Sequence, residues 1–292
     1  MPLPELPEAP AGASEPIHID FASVIASSGI HWSTLWTRPN GVPWALVARS
    51  AGAYHVRIAG FAEFRVTAAR VQVQAEPTAR ASTIRHLLLD QVLPLALAAE
   101  GRLVFHASAV CRVEAGVVAL AGAAGAGKST LAAALRREGW GVMADDGVLV
   151  QEASGLVQAV PAYAGLRVWP DAVEAAGLSA HAVTEVAEYS AKLRISDRAT
   201  GYGGPEPLRS VYVLEDGNEC RFERMTPRDA AMALVRHAYR ADLDDRDAIA
   251  AQLHACARLA ERVPVWRAIV PRELARLACS ARALGAHATF GD

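Results

Sequence analysis

Lysine and cysteine are both scarce in this chain of 292 residues. Of its 29 basic side chains only Lys128 and Lys192 are lysine. Because an arginine- and alanine-rich composition is typical of a high-GC genome, a position that stays lysine is notable. The four cysteines are scattered and include no CxxC pair. This spacing favours a reduced chain, and we expect a cytoplasmic protein.

The sequence also lacks an excess of charge of either sign and a long apolar run. A net charge of −2 gives no electrostatic reason to expect nucleic acid or an anionic membrane as partner. The most apolar stretch, 87–97, is short and carries Asp90, and the N-terminus has no secretory signal pattern. We therefore predict no membrane partner. The composition, 52% hydrophobic and 21% charged, predicts a globular protein.

The chain divides into three segments of different pattern. Residues 1–16 are rich in proline and alanine, and predict a disordered tail. Residues 17–100 hold short alternating segments and then one helical pattern, 83–100. They predict a small strand-rich α+β module that is a candidate for substrate recognition. Residues 101–292 alternate between strand and helix patterns around a glycine loop, which predicts an α/β P-loop domain.

Several local signals predict where these elements begin and end. Ser82 is the predicted N-cap of the helix in the N-terminal module, and Pro94 is expected to kink that helix. The apolar run 103–113 and the strand after it predict a β-hairpin. Pro271 stands where a proline commonly opens a helix, so the last helix is expected to run from there to about Leu284.

A glycine loop at residues 122–129 has the sequence GAAGAGKS, which matches G-x-x-x-x-G-K-[ST] in full. It follows an apolar strand and precedes a helix, which is the context of a P-loop. Glycine permits a close backbone approach, so N–H groups and the helix N-terminus face the phosphates of ATP. Lys128 is expected to neutralise phosphate charge and Ser129 to ligate Mg²⁺. The predicted nucleotide-binding residues are Gly122, Ala123, Ala124, Gly125, Ala126, Gly127, Lys128, Ser129 and Thr130.

Two aspartates, Asp145 and Asp146, follow the apolar strand 142–144. We expect that strand to lie beside the P-loop strand, which would present the acids at the nucleotide. Successive strand residues point to opposite sides, so the two carboxylates need not share a role. One is a candidate for holding Mg²⁺, and the other for accepting the proton of an attacking hydroxyl. The alternative is a solvated turn that ends the strand.

His106 lies in an apolar run, where a lone histidine is commonly a core residue. Together with the hairpin, the glycine loop and the aspartate pair, however, it resembles the catalytic domain of HPr kinase/phosphorylase over about residues 102–151. The resemblance implies a P-loop core related to the phosphoenolpyruvate carboxykinases. It implies His106, Lys128 and Asp146 as active-site residues, with Asp146 taking the proton of a target serine, and Ser129 as a ligand of Mg²⁺.

After the aspartate pair the chain departs from that family. Where the family has a metal-binding glutamate, the segment 162–167 has no acid, so Asp145 and Asp171 are the candidates for a second Mg²⁺ ligand. Where the family has a catalytic arginine, Lys192 or Arg194 is the candidate for neutralising the transferred phosphoryl group; the alternative is a surface cation. The family's phosphorylase segment has no clear counterpart, so the reverse reaction is not predicted.

These parts fit in-line phosphoryl transfer from ATP. We predict an ATP- and Mg²⁺-dependent kinase that phosphorylates a serine hydroxyl of a peptide or small protein. The resemblance suggests a precursor peptide of a biosynthetic cluster, such as lasso-peptide biosynthesis. Two alternatives stay open: an ATP-binding regulatory module without phosphotransfer, and a small-molecule kinase for serine or a sugar. The glycine-rich segment 196–207 is expected to close over the site. The resemblance also suggests a homo-oligomer.

Overall fold

The structure is a computed structural model that describes most of the chain. The predicted tail 1–16 lies outside the described residues except for Leu3 and Leu6, and so does most of the glycine-rich segment 196–207. The described residues are 3, 6, 17–38, 40–50, 52–67, 69–163, 165–178, 183–195, 204–240 and 245–291. Among them no helix is both long and apolar enough to cross a membrane.

The contacts within the chain define two compact units that meet in sequence between Glu100 and Gly101. The N-terminal unit contains a six-stranded sheet in the order β1-β6-β5-β4-β3-β2. All neighbours in this sheet are antiparallel except β1 and β6. Its strands are β1 His18–Phe21, β2 Ser33–Thr37, β3 Pro43–Ser50, β4 Ala53–Ile58, β5 Ala62–Thr67 and β6 Arg70–Ala75.

A helical segment follows this sheet and is interrupted by a widened turn. It consists of α1 Ala81–Leu87, a π-helical segment Leu88–Val92 and α2 Leu93–Ala99. Arg80 is the N-cap, so the prediction of Ser82 as the cap was wrong by two residues. Leu93 donates its N–H to the carbonyl of Leu88, five residues back. The interruption predicted at Pro94 thus takes the form of a π-turn, because proline cannot continue an α-helical ladder.

The C-terminal unit is a mixed α/β structure. Nine described strands form its main sheet, in the order β10-β8-β9-β16-β12-β11-β7, with β18 beside β16 and β17 beside β18. The strands are β7 Leu103–Phe105, β8 Ala107–Arg112, β9 Gly116–Ala121, β10 Gly141–Ala144, β11 Val148–Ala153, β12 Leu156–Val160, β16 Glu206–Asp216, β17 Arg221–Arg224 and β18 Val265–Val270. A small sheet in the order β13-β15-β14 consists of β13 Leu166–Val168, β14 Val183–Ala187 and β15 Ser190–Ile195.

Helices cover both faces of the main sheet. Along β9, Val118 and Leu120 point into a core shared with α3 and α7, whereas Val117 and Ala119 point into a core shared with α5 and α6. A strand buried on both faces explains why this part of the sequence is an unbroken apolar run. The helices are α3 Lys128–Arg137, α4 Pro170–Ala175, α5 Pro227–His237, α6 Arg246–Arg262 and α7 Leu277–Phe290.

The apolar run 103–113 forms two strands rather than the single predicted one. β7 pairs with β11, whereas β8 pairs with β9 in the predicted hairpin and with β10 on its other edge. The chain breaks between them at His106, whose N–H donates to the carbonyl of His237 at 2.7 Å. His106 therefore leaves the sheet at the edge where β9 ends.

Two further predictions about the order of elements were wrong. The strand before the aspartates, β10, does not lie beside the P-loop strand β9, because β8 lies between them. Since β8 is antiparallel to both, β10 and β9 still end at the same edge of the sheet. Pro271 does not open a helix: a 3₁₀ turn at Leu274–Arg276 comes first, and α7 then runs to Phe290.

Candidate functional site

The glycine loop joins β9 to α3 as the sequence predicts. Gly125 and Gly127 have φ values of 78° and 89°, which L side chains rarely adopt. At Gly122 an added Cβ would lie 3.0 Å from the Cβ of Ala126. Gly127 is the N-cap of α3, and Lys128 is the first residue of the helix. The loop therefore presents backbone N–H groups and a helix N-terminus to one place, which is the arrangement that binds phosphate.

The side chain of Lys128 contacts this loop and is 5% exposed. Its Nζ donates to the carbonyl oxygens of Gly122 at 3.0 Å and Ala123 at 3.2 Å. Burial lowers the pKa of Lys128, and the negative charges of Asp146 and Asp145 oppose that shift. The ammonium group is thus held among acceptors on the side of the loop where phosphate oxygens would bind.

Asp145 is a buried hydrogen-bond acceptor that does not line the cavity. Its Oδ1 accepts hydrogen bonds from the hydroxyls of Ser108 at 2.5 Å and Ser129 at 2.9 Å. Its Oδ2 accepts the backbone N–H of Arg167 at 3.1 Å. Burial, and then the neighbouring charge of Asp146, raise the pKa of Asp145 to about 7. Both oxygens of Asp145 are therefore engaged within the protein, and one of them fixes the Ser129 hydroxyl.

Asp146 differs from its neighbour in both backbone and exposure. It has a φ of 62°, a left-handed conformation that is uncommon outside glycine. Its Oδ2 lies 2.9 Å from Nη2 of Arg167, and its side chain is 16% exposed. Asp146 lines the cavity in front of the P-loop, whereas Asp145 does not. Strain of this kind is commonly found at functional sites, where surrounding contacts hold it in place.

His106 and Tyr239 form a polar contact beside Asp146. Nδ1 of His106 lies 3.4 Å from the Tyr239 hydroxyl, which donates to the backbone carbonyl of Asp146 at 3.2 Å. Burial and the charge of Lys128 lower the pKa of His106, with Asp146 opposing. His106 is consequently a neutral imidazole at neutral pH, and it can accept or donate one proton in the cavity.

The two cations predicted from the segment after β14 have different surroundings. Lys192 lines the cavity, with its Nζ 5.8 Å from the centre of the Trp169 ring. Arg194 is 5% exposed, lies over the ring of Tyr163, and does not line the cavity. Of this pair, Lys192 is therefore the cation that faces the P-loop side.

Most of the predicted site residues line a single cavity of about 380 Å³. Gly122, Ala123, Asp145 and Arg194 are the predicted site residues that do not line it. Asp171, on the first turn of α4, does line it. The predicted residues that line the cavity are His106, Ala124, Gly125, Ala126, Gly127, Lys128, Ser129, Thr130, Asp146 and Lys192.

Three contributors to the site were missed by sequence reasoning: Ser108, Arg167 and Tyr239. Arg167 had a signal, because it is the sole charged side chain in the segment 162–168. Ser108 and Tyr239 had none, since a serine in an apolar strand and a tyrosine after a helix are ordinary. Tyr239 lies 93 residues from Asp146 in the chain, so only the fold brings them together.

The donor set suits Mg²⁺ bound together with a triphosphate rather than by the protein alone. No group of three or more His, Cys, Asp or Glu side chains among the described residues could hold a metal ion. Mg²⁺ commonly takes one or two protein oxygens and completes its shell with phosphates and water. The hydroxyl of Ser129 and the carboxylate of Asp171 are such oxygens at this cavity. Asp145 fits the role of the acceptor that orients Ser129.

No protein-family model matches the chain, and no curated protein matches it. Among solved structures, the Hpr(Ser) kinase/phosphatase from Coxiella burnetii is similar over 65% of this chain and 99% of that chain, with 13% sequence identity and a TM-score of 0.32. Values this low do not establish a shared fold or activity. The resemblance drawn from residues 102–151 therefore stays a prediction.

Proposed function

We propose that the chain is an ATP- and Mg²⁺-dependent kinase that transfers the γ-phosphoryl group to a hydroxyl. One observation carries the proposal: Asp146 and a neutral His106 line the same cavity as the glycine loop and its lysine. An acid that faces the phosphate end of a P-loop is placed to take the proton of a hydroxyl nucleophile. A P-loop alone would support nucleotide binding and no more.

Each side chain then has a role that its position supports. The loop N–H groups and Lys128 bind the phosphates, and Ser129 ligates Mg²⁺, which when bound neutralises phosphate charge. The hydroxyl oxygen forms a bond to the γ-phosphorus as the bond from that phosphorus to the β–γ bridging oxygen breaks. The hydroxyl proton passes to Asp146, and ADP leaves. Lys192 stabilises the charge of the moving group.

The proposed acceptor is a serine hydroxyl of a peptide or small protein. Its support is the sequence resemblance over residues 102–151, which also suggests a precursor peptide of the lasso-peptide kind. Recognition of that acceptor is proposed for the strand-rich unit 17–100. A kinase for free serine or a sugar would use the same catalytic residues and would differ only in the molecule that receives the phosphoryl group.

A second candidate, nucleotide binding without transfer, is favoured by one contact. The guanidinium of Arg167 lies 2.9 Å from Oδ2 of Asp146, so one carboxylate oxygen is already engaged in an ion pair. A regulatory module would keep the ion pair between Arg167 and Asp146 intact and would use ATP to select a conformation. The kinase needs only the other carboxylate oxygen of Asp146 as base.

Incubation with γ-labelled ATP separates these functions. The acceptors are a serine-containing peptide library, the same library with alanine in place of serine, free serine and a set of sugars, each with Mg²⁺ and with EDTA. The proposal predicts a serine-dependent phosphopeptide that EDTA abolishes. Label in free serine or sugar alone would indicate the small-molecule kinase. Tight ATP binding with no labelled acceptor of any class would favour the regulatory module and contradict the kinase.

A further inference from the structure

The cavity at the P-loop has two sides of opposite chemistry. In the sheet order β10-β8-β9-β16-β18, the strands β10 and β8 lie on one side of the P-loop strand β9, and β16 and β18 on the other. Asp146 follows β10 and His106 precedes β8, so these two titratable side chains lie on the first side. Both sides open at the edge of the sheet where β9 ends.

The second side is lined almost wholly by apolar groups. Leu214 lies near the end of β16 and Val270 ends β18, with 5% and 6% exposure, and Leu277 of α7 is 7% exposed. Leu274 is partly buried against the same core. The described residues that line the cavity on this side are Leu131, Leu214, Val270, Pro271, Arg272, Leu274, Leu277 and Ser280.

Resting on the proposed function, we infer that this apolar side, from β16 and β18 to α7, binds the base and ribose of the nucleotide. A phosphoryl donor must place its γ-phosphate next to Asp146 and His106. The triphosphate bound along the P-loop then directs its nucleoside end away from them, toward Leu214 and Val270. Parallel strands β9, β16 and β18 end there, and such crevices are where open α/β sheets bind ligands.

The chemistry of this side indicates how it recognises the base. Among the lining residues that β16, β18 and the segment 271–280 contribute, only Arg272 and Ser280 are polar. Ser280 is 1% exposed and its hydroxyl oxygen already accepts from the Cys220 thiol at 3.5 Å. Arg272 is exposed, with its Nε 3.6 Å from Asp216, and its planar guanidinium suits stacking on a base. Burial and stacking, rather than hydrogen bonds to the base edge, hold the nucleoside.

Recognition by shape has a measurable consequence. A site built to hydrogen-bond a substrate rejects analogues by large factors, whereas an apolar pocket discriminates weakly. GTP should therefore bind within roughly 200-fold of ATP, which is the upper end of what an apolar pocket discriminates. Inorganic triphosphate, which lacks the nucleoside, should bind at least about tenfold more weakly than ATP, as loss of one buried apolar group implies.

Titration calorimetry with ATP, GTP and inorganic triphosphate, each with Mg²⁺, tests the inference on the unaltered chain. The variant Leu274→Gln changes the partly buried wall of the apolar side. Its matched control is Leu253→Gln, a leucine that is 40% exposed on α6. Leu274→Gln should lower ATP affinity by about fivefold and leave triphosphate affinity unchanged, since a polar group then faces the base. The control should change neither affinity.

The outcomes separate this inference from the proposed function. Equal binding of ATP and triphosphate, or a preference for ATP over GTP of more than roughly 200-fold, would overturn the inference and leave the P-loop assignment intact. An equal loss of both ligands in Leu274→Gln would also overturn it. If the unaltered chain bound neither ATP nor triphosphate, the proposed function would fail together with the inference.

Discussion

At the residue scale, the candidate site depends on two adjacent aspartates with different surroundings. Asp145 is enclosed by two serine hydroxyls and a backbone N–H, and Asp146 faces the cavity with one oxygen beside Arg167. Both follow the end of β10 at Ala144, and their different surroundings let two identical side chains serve a structural and a chemical purpose. The left-handed φ of Asp146 adds to this difference by turning the chain at the end of β10.

Tyr239→Phe is expected to reduce turnover roughly fivefold, since one hydrogen-bonding hydroxyl of about 1 kcal/mol no longer positions Asp146 and His106. Thermal unfolding and initial rates measure the two effects. Tyr212→Phe is the matched control, because its hydroxyl is hydrogen-bonded to His287 at 2.7 Å and it does not line the cavity. Both variants should lose similar stability. A turnover loss that was equal in the two would show that Tyr239 has no positioning role.

Local patterns account for the residues that sequence analysis found, and tertiary contacts for those it missed. The P-loop can be recognised in the sequence because the backbone conformation of eight consecutive residues determines its glycine spacing. The partnership of Arg167 with Asp145 spans 22 residues and a change of sheet. No periodicity or local propensity encodes such a contact, so Arg167 entered the prediction only as part of a segment without acid.

At the scale of elements, α3 connects the phosphate loop to the core. Its N-cap is Gly127, and Gly139 follows its C-terminus, both with left-handed backbone and both with no atom within 4 Å of an added Cβ. Every residue from Leu131 to Leu135 is buried, and the helix packs against the sheet and α7. The orientation of its first N–H groups is thus fixed by packing along its whole length rather than by the loop alone.

Gly127→Ala and Gly139→Ala should each destabilise the fold by roughly 1–2 kcal/mol, because alanine is strained in the left-handed region. They should differ in nucleotide binding. Gly127 lines the cavity and Gly139 does not, so only Gly127→Ala should weaken ATP binding. Chemical denaturation and calorimetry together test this. Equal ATP affinity in the two variants would mean that phosphate does not bind at the N-terminus of α3.

Whether a segment forms a helix or a strand was easier to predict than which strands lie side by side in the sheet. The helices α5 and α6 begin directly after Thr226 and Asp245, whose side chains accept N–H groups three residues on. The placement of β10 was wrong because strand order depends on the hairpin partner β8, which occupies the edge of β9. Side-chain alternation specifies which face a strand buries, but it does not specify which strand lies beside it.

At the scale of the whole molecule, all residues of the candidate site belong to the C-terminal unit. The residues that line its cavity run from His106 to Ser280, whereas the N-terminal unit ends at Glu100. The proposed nucleotide binding therefore draws on one compact unit. The N-terminal unit is available for another task, for which we propose recognition of the acceptor.

Residues 101–292 expressed alone should fold and bind ATP with the affinity of the full chain, since the unit has its own cores on both faces of the sheet. Phosphorylation of a peptide acceptor should fall in this fragment if residues 17–100 recognise it. Circular dichroism, calorimetry and transfer assays measure folding, binding and activity. A folded fragment that bound no ATP would contradict the assignment of the site to one unit.

The most direct test of the central claim is transfer from γ-labelled ATP by Asp146→Asn, with ATP affinity measured on the same preparation. Asp247→Asn, on the exposed first turn of α6, is the control. Loss of the general base should lower the transfer rate by roughly 10²–10⁴-fold, while ATP binding and the control remain unchanged. Undiminished transfer by Asp146→Asn would contradict the account.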